Sequence, residues 1–153
     1  AVFPNVKNRS KTITAEIEVP AGGANGTIIA QGGRFGGWSL YVKDGVPAYH
    51  YNFLGLQRFT VTSAKKLQPG KSTVVFQFDY DGGGPAKGGK GTLLINGKKV
   101  GEGRIDATQP GMFSADETAD VGIDLGTPVV EAIGAEAKSR FNGRIPRVTV
   151  DVK

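Results

Sequence analysis

Hydrophobic and polar residues alternate along much of this chain with a period of two. In Thr12–Val19, Ile, Ala, Ile and Val occupy every second position, and Thr or Glu fills the positions between them. Such alternation is typical of a strand with one buried face and one polar face. The pattern recurs in Thr73–Tyr80, and residues such as Pro20, Gly22 and Gly23 interrupt it at short intervals. The pattern therefore predicts many antiparallel strands and no long helix.

The dipeptide Asp44-Gly45 predicts a hairpin between Trp38–Lys43 and Val46–Phe53, because a type I′ turn requires positive φ at both positions. A two-residue turn sets the strand register, so that each strand has one apolar face and one polar face. The apolar face contains Trp38, Leu40, Val42, Tyr49, Tyr51 and Phe53. The polar face contains Ser39, Tyr41, His50 and Asn52, with Ser39 opposite His50.

Further strands are predicted on both sides of this hairpin. They are Thr27–Ala30, Arg58–Ser63, Thr73–Tyr80, the pair Thr92–Ile95 and Lys98–Val100 around Asn96-Gly97, and Phe141–Val152. The last strand should contain a bulge near Pro146, because Ile145 and Val148 cannot share a face in a regular strand. Strands at this spacing, without long helices between them, indicate one all-β domain over residues 1–153, a two-sheet antiparallel jelly-roll sandwich.

The region Ala107–Lys138 does not alternate, and the Gly-rich segment Asp81–Gly91 is expected to be a loop. We predict that the first region is a long loop around one short strand at Val121–Ile123, and its composition allows helical turns at Glu131–Lys138. The expected core comprises Ile13, Ile17, Trp38, Leu40, Tyr49, Tyr51, Phe59, Val61, Phe76, Phe78, Leu93, Val148 and Val150.

Composition excludes several kinds of chemistry. The 153 residues include no Cys, which rules out a disulfide, a thiolate zinc site and a Cys nucleophile. The net charge of +5 comes from 19 basic and 14 acidic residues that are scattered along the sequence. We interpret this charge as a contribution to solubility and expect no nucleic-acid partner. No stretch is long and apolar enough to predict a membrane span.

The motifs that could carry chemistry are weak. The segment Gly84–Gly91 approaches a phosphate-binding loop, but Gly91 stands where Ser or Thr is needed, and a strand rather than a helix is predicted next. His50 is the sole His, and a lone His cannot build a metal site or a catalytic triad without partner residues. We therefore predict no catalytic residue in this chain.

An acidic stretch supplies weak candidates for a calcium site. Its carboxylates are Asp116, Glu117, Asp120 and Asp124. Calcium requires six or more oxygen ligands, and these residues lack a recognisable spacing. A solvated loop explains them more simply, so weak or absent calcium binding is expected.

Several sequence blocks occur in a characteristic order. The blocks are Gly32–Gly45, Tyr49–Phe53, Phe78–Gly84, Leu94–Gly101, Phe113–Thr118 and Asp120–Gly122. Together they resemble the C-terminal domain of large bacterial arylsulfatases. More broadly, the strand order and the opening Phe141, Gly143 and Ile145 of the last strand are similar to laminin-G and concanavalin-type sandwiches.

The resemblance implies a non-catalytic accessory domain excised from a larger sulfatase, where it would stabilise the catalytic domain or shape its substrate entrance. Such a parent hydrolyses sulfate esters with a formylglycine and a divalent metal, Ca or Mg, both in an N-terminal catalytic domain. The Cys/Ser-x-Pro/Ala-x-Arg motif that forms the formylglycine is absent here, so this chain should hold no cofactor. The implied partner is the catalytic domain, in a bacterial periplasm or cytoplasm. The alternatives are a carbohydrate-binding module and a protein–protein interaction module.

The polar side of the predicted hairpin is the candidate binding surface. If the next strand continues the meander, Arg58 and Thr60 join Ser39, Tyr41, His50 and Asn52, with Arg34 at the edge. These side chains combine a ring, hydrogen-bonding groups and positive charge, which suit a sulfated sugar or a partner domain. An ordinary solvated face would also explain them.

Overall fold

A computed structural model describes residues 10–33, 36–53, 57–80, 87–107, 119–121 and 140–152. The strands are β1 (Lys11–Val19), β2 (Gly26–Gly33), β3 (Gly36–Lys43), β4 (Val46–Phe53), β5 (Gln57–Thr62), β6 (Gly70–Tyr80), β7 (Lys87–Ile95), β8 (Lys98–Ala107), β9 (Ala119–Val121) and β10 (Arg144–Val152). Sheet A has the order β10-β1-β6-β7-β8, and sheet B has the order β5-β4-β3-β2-β9. Both sheets are antiparallel, so the predicted all-β two-sheet sandwich is confirmed.

Both predicted hairpin turns are present with the expected backbone geometry. Asp44 and Gly45 have φ values of 51° and 81°, and Asn96 and Gly97 have values of 50° and 84°. Positive φ at both central residues defines the type I′ turn. The register between β3 and β4 is the predicted one, with Ser39 opposite His50. Among the described residues no helix is long and apolar enough to span a membrane.

The predicted irregularity in the last strand is a bulge. Glu16 pairs with Arg147 and Glu18 pairs with Arg144, so the two residues Ile145 and Pro146 of β10 lie opposite a single residue of β1. The bulge shifts the phase of alternation along β10, which resolves the conflict between Ile145 and the residues that follow it.

The Gly-rich loop is shorter than predicted, because β7 already begins at Lys87. Gly89 and Gly91 of this segment pair with β6 and β8, and aromatic rings occupy the space that a Cβ atom would need at either position. A Cβ atom at Gly89 would lie 2.7 Å from the ring of Phe78, and one at Gly91 would lie 2.8 Å from the ring of Phe76. Glycine at these positions therefore serves close packing rather than loop flexibility. The short strand β9 begins two residues before the predicted Val121–Ile123, and Glu131–Lys138 lies outside the described residues.

The core lies between the sheets and is organised around an aromatic stack. Trp38 and Tyr49 of sheet B stack with ring centroids 6.1 Å apart, and Tyr49 stacks on Phe76 of sheet A at 3.7 Å. The predicted core is confirmed, except that Phe59, Val148 and Val150 are only partly buried where they pack against it. The stacked rings link sheet B to sheet A and so hold the outer faces of the two sheets in a fixed relative orientation.

The sheets also approach each other at the edges formed by β5 and β8. A Cβ atom at Gly101 would overlap the carbonyl of Thr62, so only glycine permits this approach. The Ala64 N–H donates a hydrogen bond of 2.7 Å to the Val100 carbonyl. This contact brings the segment after β5 beside the turn between β7 and β8.

Candidate functional site

The structure brings four of the predicted binding residues together on the outer face of sheet B. Cross-strand pairing aligns Ser39, His50 and Thr60 in one row and Thr27 with Tyr41 in the next, while Asn52 lies at the far end of β4. We call this surface the polar face. It comprises Thr27, Ser39, Tyr41, His50, Asn52, Thr60 and Thr62.

Most of the polar face is buried, so its description as an ordinary solvated surface is wrong. Asn52 is 0% exposed, Ser39 1% and His50 7%. Thr60 and Thr62 on β5 are exposed, so the face reaches solvent at this edge of the sheet. The sequence pattern could not reveal this burial, because alternation separates the two faces of a strand without showing what covers either one.

Two buried hydroxyl groups on the polar face find no partner among the described residues. Thr27 Oγ1 and Ser39 Oγ have no hydrogen-bond partner among the residues that the structure describes. Leaving such a group unsatisfied costs about 1–3 kcal/mol. His50 Nδ1 lies 2.8 Å from Thr60 Oγ1, which orients the imidazole along the row. Burial also raises the pKa of the Tyr41 phenol, so this group stays protonated at neutral pH.

The remaining predicted site residues are only partly placed. Arg34, Asp116, Glu117 and Asp124 lie outside the described residues. Arg58 is the backbone partner of Asn52 in β5, as the meander predicted. Asp120 is the backbone partner of Ala30, which places it at the end of the row that contains Ser39 and His50. Within the described ranges no group of three His, Cys, Asp or Glu side chains could hold a metal ion.

Lys11 occupies the core, and sequence reasoning missed it. Its side chain is 4% exposed, and Nζ donates a hydrogen bond of 3.0 Å to Tyr49 Oη. The same nitrogen lies 4.0 Å from the ring centroid of Trp38, in cation–π contact. A signal was available, because Lys11 precedes Ile13 by two positions and therefore shares its face. Burial lowers the pKa of the Lys11 amine well below its ordinary value of 10.5.

Replacement of Lys11 by Met should reduce the rise in stability at alkaline pH. The lowered pKa means that the unfolded chain binds this proton more tightly, so the free energy of unfolding increases as pH rises from the folded pKa towards 10.5. The contribution is at most about 1.4 kcal/mol per pH unit. Urea unfolding of both proteins at about pH 7.5 and about pH 9.5, below the ordinary tyrosine pKa, measures it. Equal pH slopes in the two proteins would contradict a buried amine at position 11.

A second surface brings together four lysines that the sequence separates. Lys65 and Lys66 follow β5, and Lys98 and Lys99 open β8, and all four line one groove of about 480 Å³. We call this the lysine groove. Ile95, Asn96 and Val100 complete its lining. The basic residues are scattered along the sequence, but folding brings these four together at one end of the sandwich.

Another cavity, of about 440 Å³, has no such excess of one charge. It is lined by Glu16 and Glu18 as well as by Lys71 and Arg144. Arg144 Nε lies 3.5 Å from a carboxylate oxygen of Glu18. Its opposite charges pair with each other, which distinguishes this cavity from the lysine groove.

No protein-family model and no curated protein sequence matches the chain. Solved structures do match it. The CBM40 domain of the Ruminococcus gnavus IT-sialidase, bound to α2,3-sialyllactose, has 18% identity and a TM-score of 0.66 over 97% of this chain and 78% of that one. Domains LG4-5 of the mouse laminin α1 chain have 15% identity and a TM-score of 0.62 over 97% and 41%. A SAP-like pentraxin from Limulus polyphemus has 16% identity and a TM-score of 0.55 over 93% and 63%.

These likenesses define the fold. The chain is a β-sandwich of the laminin-G and concanavalin type, as the strand order predicted. It spans less than two thirds of the length of the pentraxin and laminin chains that it matches.

Proposed function

We propose that this chain is a carbohydrate-binding domain and that the polar face is part of its binding site. The observation that carries the proposal is the pair of buried, unpartnered hydroxyls that the described residues leave on this face, Thr27 Oγ1 and Ser39 Oγ, beside an imidazole and an amide. The likeness in fold to a CBM40 domain bound to sialyllactose supports it.

The chemistry of the polar face suits the hydroxyl groups of a sugar. Serine and threonine hydroxyls both donate and accept hydrogen bonds, as the hydroxyl groups of a sugar do. The face reaches solvent at the β5 edge, where Thr60 and Thr62 are exposed. Thr27 and Ser39 are each 1% exposed, so a sugar would contact them only if the residues that cover them move aside. Binding there would satisfy the two hydroxyls that the described residues leave unpaired.

Calorimetric titration with sialyllactose, lactose and sulfated oligosaccharides tests the proposal. At least one oligosaccharide should bind the unmodified chain, and Thr27→Val or Ser39→Ala should weaken its binding by roughly three- to tenfold, the contribution of one hydrogen bond. Neither substitution should lower the melting temperature, since each removes an unsatisfied buried hydroxyl.

Thr14→Val is the matched control, because Thr14 lies on the outer face of sheet A opposite Thr149. This variant should bind as tightly as the unmodified chain. If Thr27→Val and Ser39→Ala also bind normally, the polar face is not the glycan site. If no oligosaccharide binds the unmodified chain, the proposed function itself is wrong.

A second proposal is an accessory role beside a sulfatase catalytic domain, and it rests on the ordered sequence blocks alone. Under it, the chain packs against the domain that carries the formylglycine and the divalent metal. The formylglycine does not fit this chain, since no Cys/Ser-x-Pro/Ala-x-Arg motif is present. The described residues bring together no three His, Cys, Asp or Glu side chains that could hold the metal. The gene sequence upstream of Ala1 provides the test. A Cys-x-Pro-x-Arg motif within the same reading frame would support this role, and its absence from the complete reading frame would refute it.

A further inference from the structure

We propose that the lysine groove binds sulfate groups of a sulfated polysaccharide. The inference rests on the proposed function and specifies the chemical class of the glycan as a sulfated polysaccharide. The groove is a separate surface from the polar face, and its four cations are Lys65, Lys66, Lys98 and Lys99.

The backbone beneath these lysines is held in place by short hydrogen bonds. Ser63 Oγ donates to the Lys65 carbonyl at 2.6 Å and accepts from the Lys65 N–H at 3.0 Å. The Leu67 N–H donates to the Gly45 carbonyl at 2.8 Å, on the far side of the two lysines. On the opposite wall, Asn96 Oδ1 accepts from the Thr73 N–H at 2.8 Å and anchors the turn before Lys98. The groove is therefore organised before any ligand arrives.

The positive charge of the groove is largely uncompensated. Among the described residues, no carboxylate forms an ion pair with Lys65, Lys66 or Lys98. The fourth lysine, Lys99, pairs with Glu102 at 3.1 Å, and Glu102 also pairs with Lys90 at 3.2 Å. Hydrogen bonds from Lys99 and then Lys90 lower the pKa of the Glu102 carboxyl. The carboxylate is therefore ionised at neutral pH and already paired with these two lysines. Three ammonium groups thus face one groove without an anion from the described part of the chain, which favours an anionic ligand.

The lining favours a sulfated sugar chain over a nucleic acid. No aromatic side chain or arginine of the described residues lines the groove, so it offers no platform on which bases could stack. Partly buried Ile95 and Val100 form a narrow apolar floor against which sugar C–H groups can pack. Lysine ammonium groups act as point charges on flexible stems, and they can reach sulfates that are unevenly spaced along a polymer.

The groove and the polar face include residues that are close together in the sequence. Lys65 follows Thr62, the exposed end of the polar face, by three residues. A polysaccharide that enters the polar face from the β5 edge can therefore continue towards the lysines. A short neutral oligosaccharide would occupy only the polar face.

Binding of a heparin oligosaccharide and of its chemically desulfated form tests the inference. The double variant Lys65→Ala/Lys98→Ala should bind heparin about 20-fold more weakly than the unmodified chain, since each lysine near an anionic surface contributes about fivefold. Its control is Arg144→Ala/Arg147→Ala, which removes the same charge from β10, at the opposite edge of sheet A from β8. The control should bind normally, and raising the NaCl concentration should weaken heparin binding by the unmodified chain.

Each alternative result has a defined meaning. If the two double variants weaken binding equally, net charge rather than the groove is responsible and the inference is wrong. If desulfated heparin binds as well as heparin, sulfate recognition is wrong while glycan binding stands. If anionic phospholipid vesicles or single-stranded DNA bind through the same lysines more tightly than heparin, the groove takes another class of polyanion and the inference is wrong. If no glycan of any kind binds, the proposed function fails together with the inference.

Discussion

Replacement of Trp38 by Ala is expected to lower the free energy of unfolding by about 3–5 kcal/mol, the range for a large buried aromatic residue. Trp38 is 0% exposed and stacks on Tyr49 at the centre of the core. Its Nε1 donates a hydrogen bond of 3.2 Å to Gln31 Oε1, and its ring faces the Lys11 amine. The substitution therefore removes packing, a hydrogen bond and the aromatic partner of a buried lysine at once.

Thermal and urea unfolding provide the measurement, with an expected fall in melting temperature of about 10 °C. Trp38→Phe is the matched control, since it keeps an aromatic ring beside Tyr49 and should cost less than the alanine. Lys71→Ala, at an exposed position, should leave stability within about 0.5 kcal/mol. A melting temperature for Trp38→Ala equal to that of the unmodified chain would remove Trp38 from the core.

Replacement of Gly26 by Ala should destabilise the fold by about 3 kcal/mol, since both backbone strain and overpacking have costs of about 1–3 kcal/mol. Gly26 has a φ of 113°, which side-chain-bearing residues rarely adopt. A Cβ atom there would lie 2.6 Å from the Cα of Phe141 and would overlap the carbonyl of Arg140. The alanine must therefore push β2 away from the segment that leads into β10.

Gly22→Ala is the control for this effect. Gly22 lies in the turn before β2, needs no positive φ, and has no atom within 4 Å of the position that an added Cβ would take. The effect of this substitution should stay within about 0.5 kcal/mol. Equal melting temperatures for the two alanine variants would show that the Arg140–Phe141 segment does not press against β2.

The two proposed surfaces should respond differently to ionic strength. Under the proposed function, the polar face would bind a glycan through hydrogen bonds from neutral groups such as Thr27 and Ser39, and such bonds are little affected by salt. The lysine groove would act through exposed charges, whose interactions beyond about 10 Å are screened at 0.1 M salt. A glycan that engages both surfaces should therefore lose only part of its affinity at high salt, and the residual affinity should depend on Thr27 and Ser39.

Local sequence determined the strands, the two hairpins and most of the core. Alternation with period two assigns Ile13 and Ile17 to one face of β1 without reference to any other strand. Asp44-Gly45 sets the register of β3 and β4, because few dipeptides tolerate positive φ at both positions. The bulge near Pro146 was predictable for the same reason, since a break in the period must appear as an extra residue in the strand.

The boundaries that depend on other strands were not predictable in this way. Gly89 and Gly91 lie in a Gly-rich segment of the kind that forms loops, yet both belong to β7. Phe78 and Phe76 occupy the space that side chains at these two positions would need. A local sequence pattern shows only the residue types in a segment. Whether Gly89 and Gly91 belong to a strand depends also on the aromatic rings that pack against them from the neighbouring strand.

Tertiary structure alone decided the character of both candidate binding surfaces. The pattern placed Ser39, His50 and Asn52 on one polar face, but their burial depends on what packs over that face. Lys65 and Lys98 are separated by 33 positions in the sequence, and they share a groove because the segment after β5 hydrogen-bonds beside β8. Period and turn chemistry act over a few residues, so they determine strands and faces, whereas burial and charge clustering arise from contacts between residues distant in sequence.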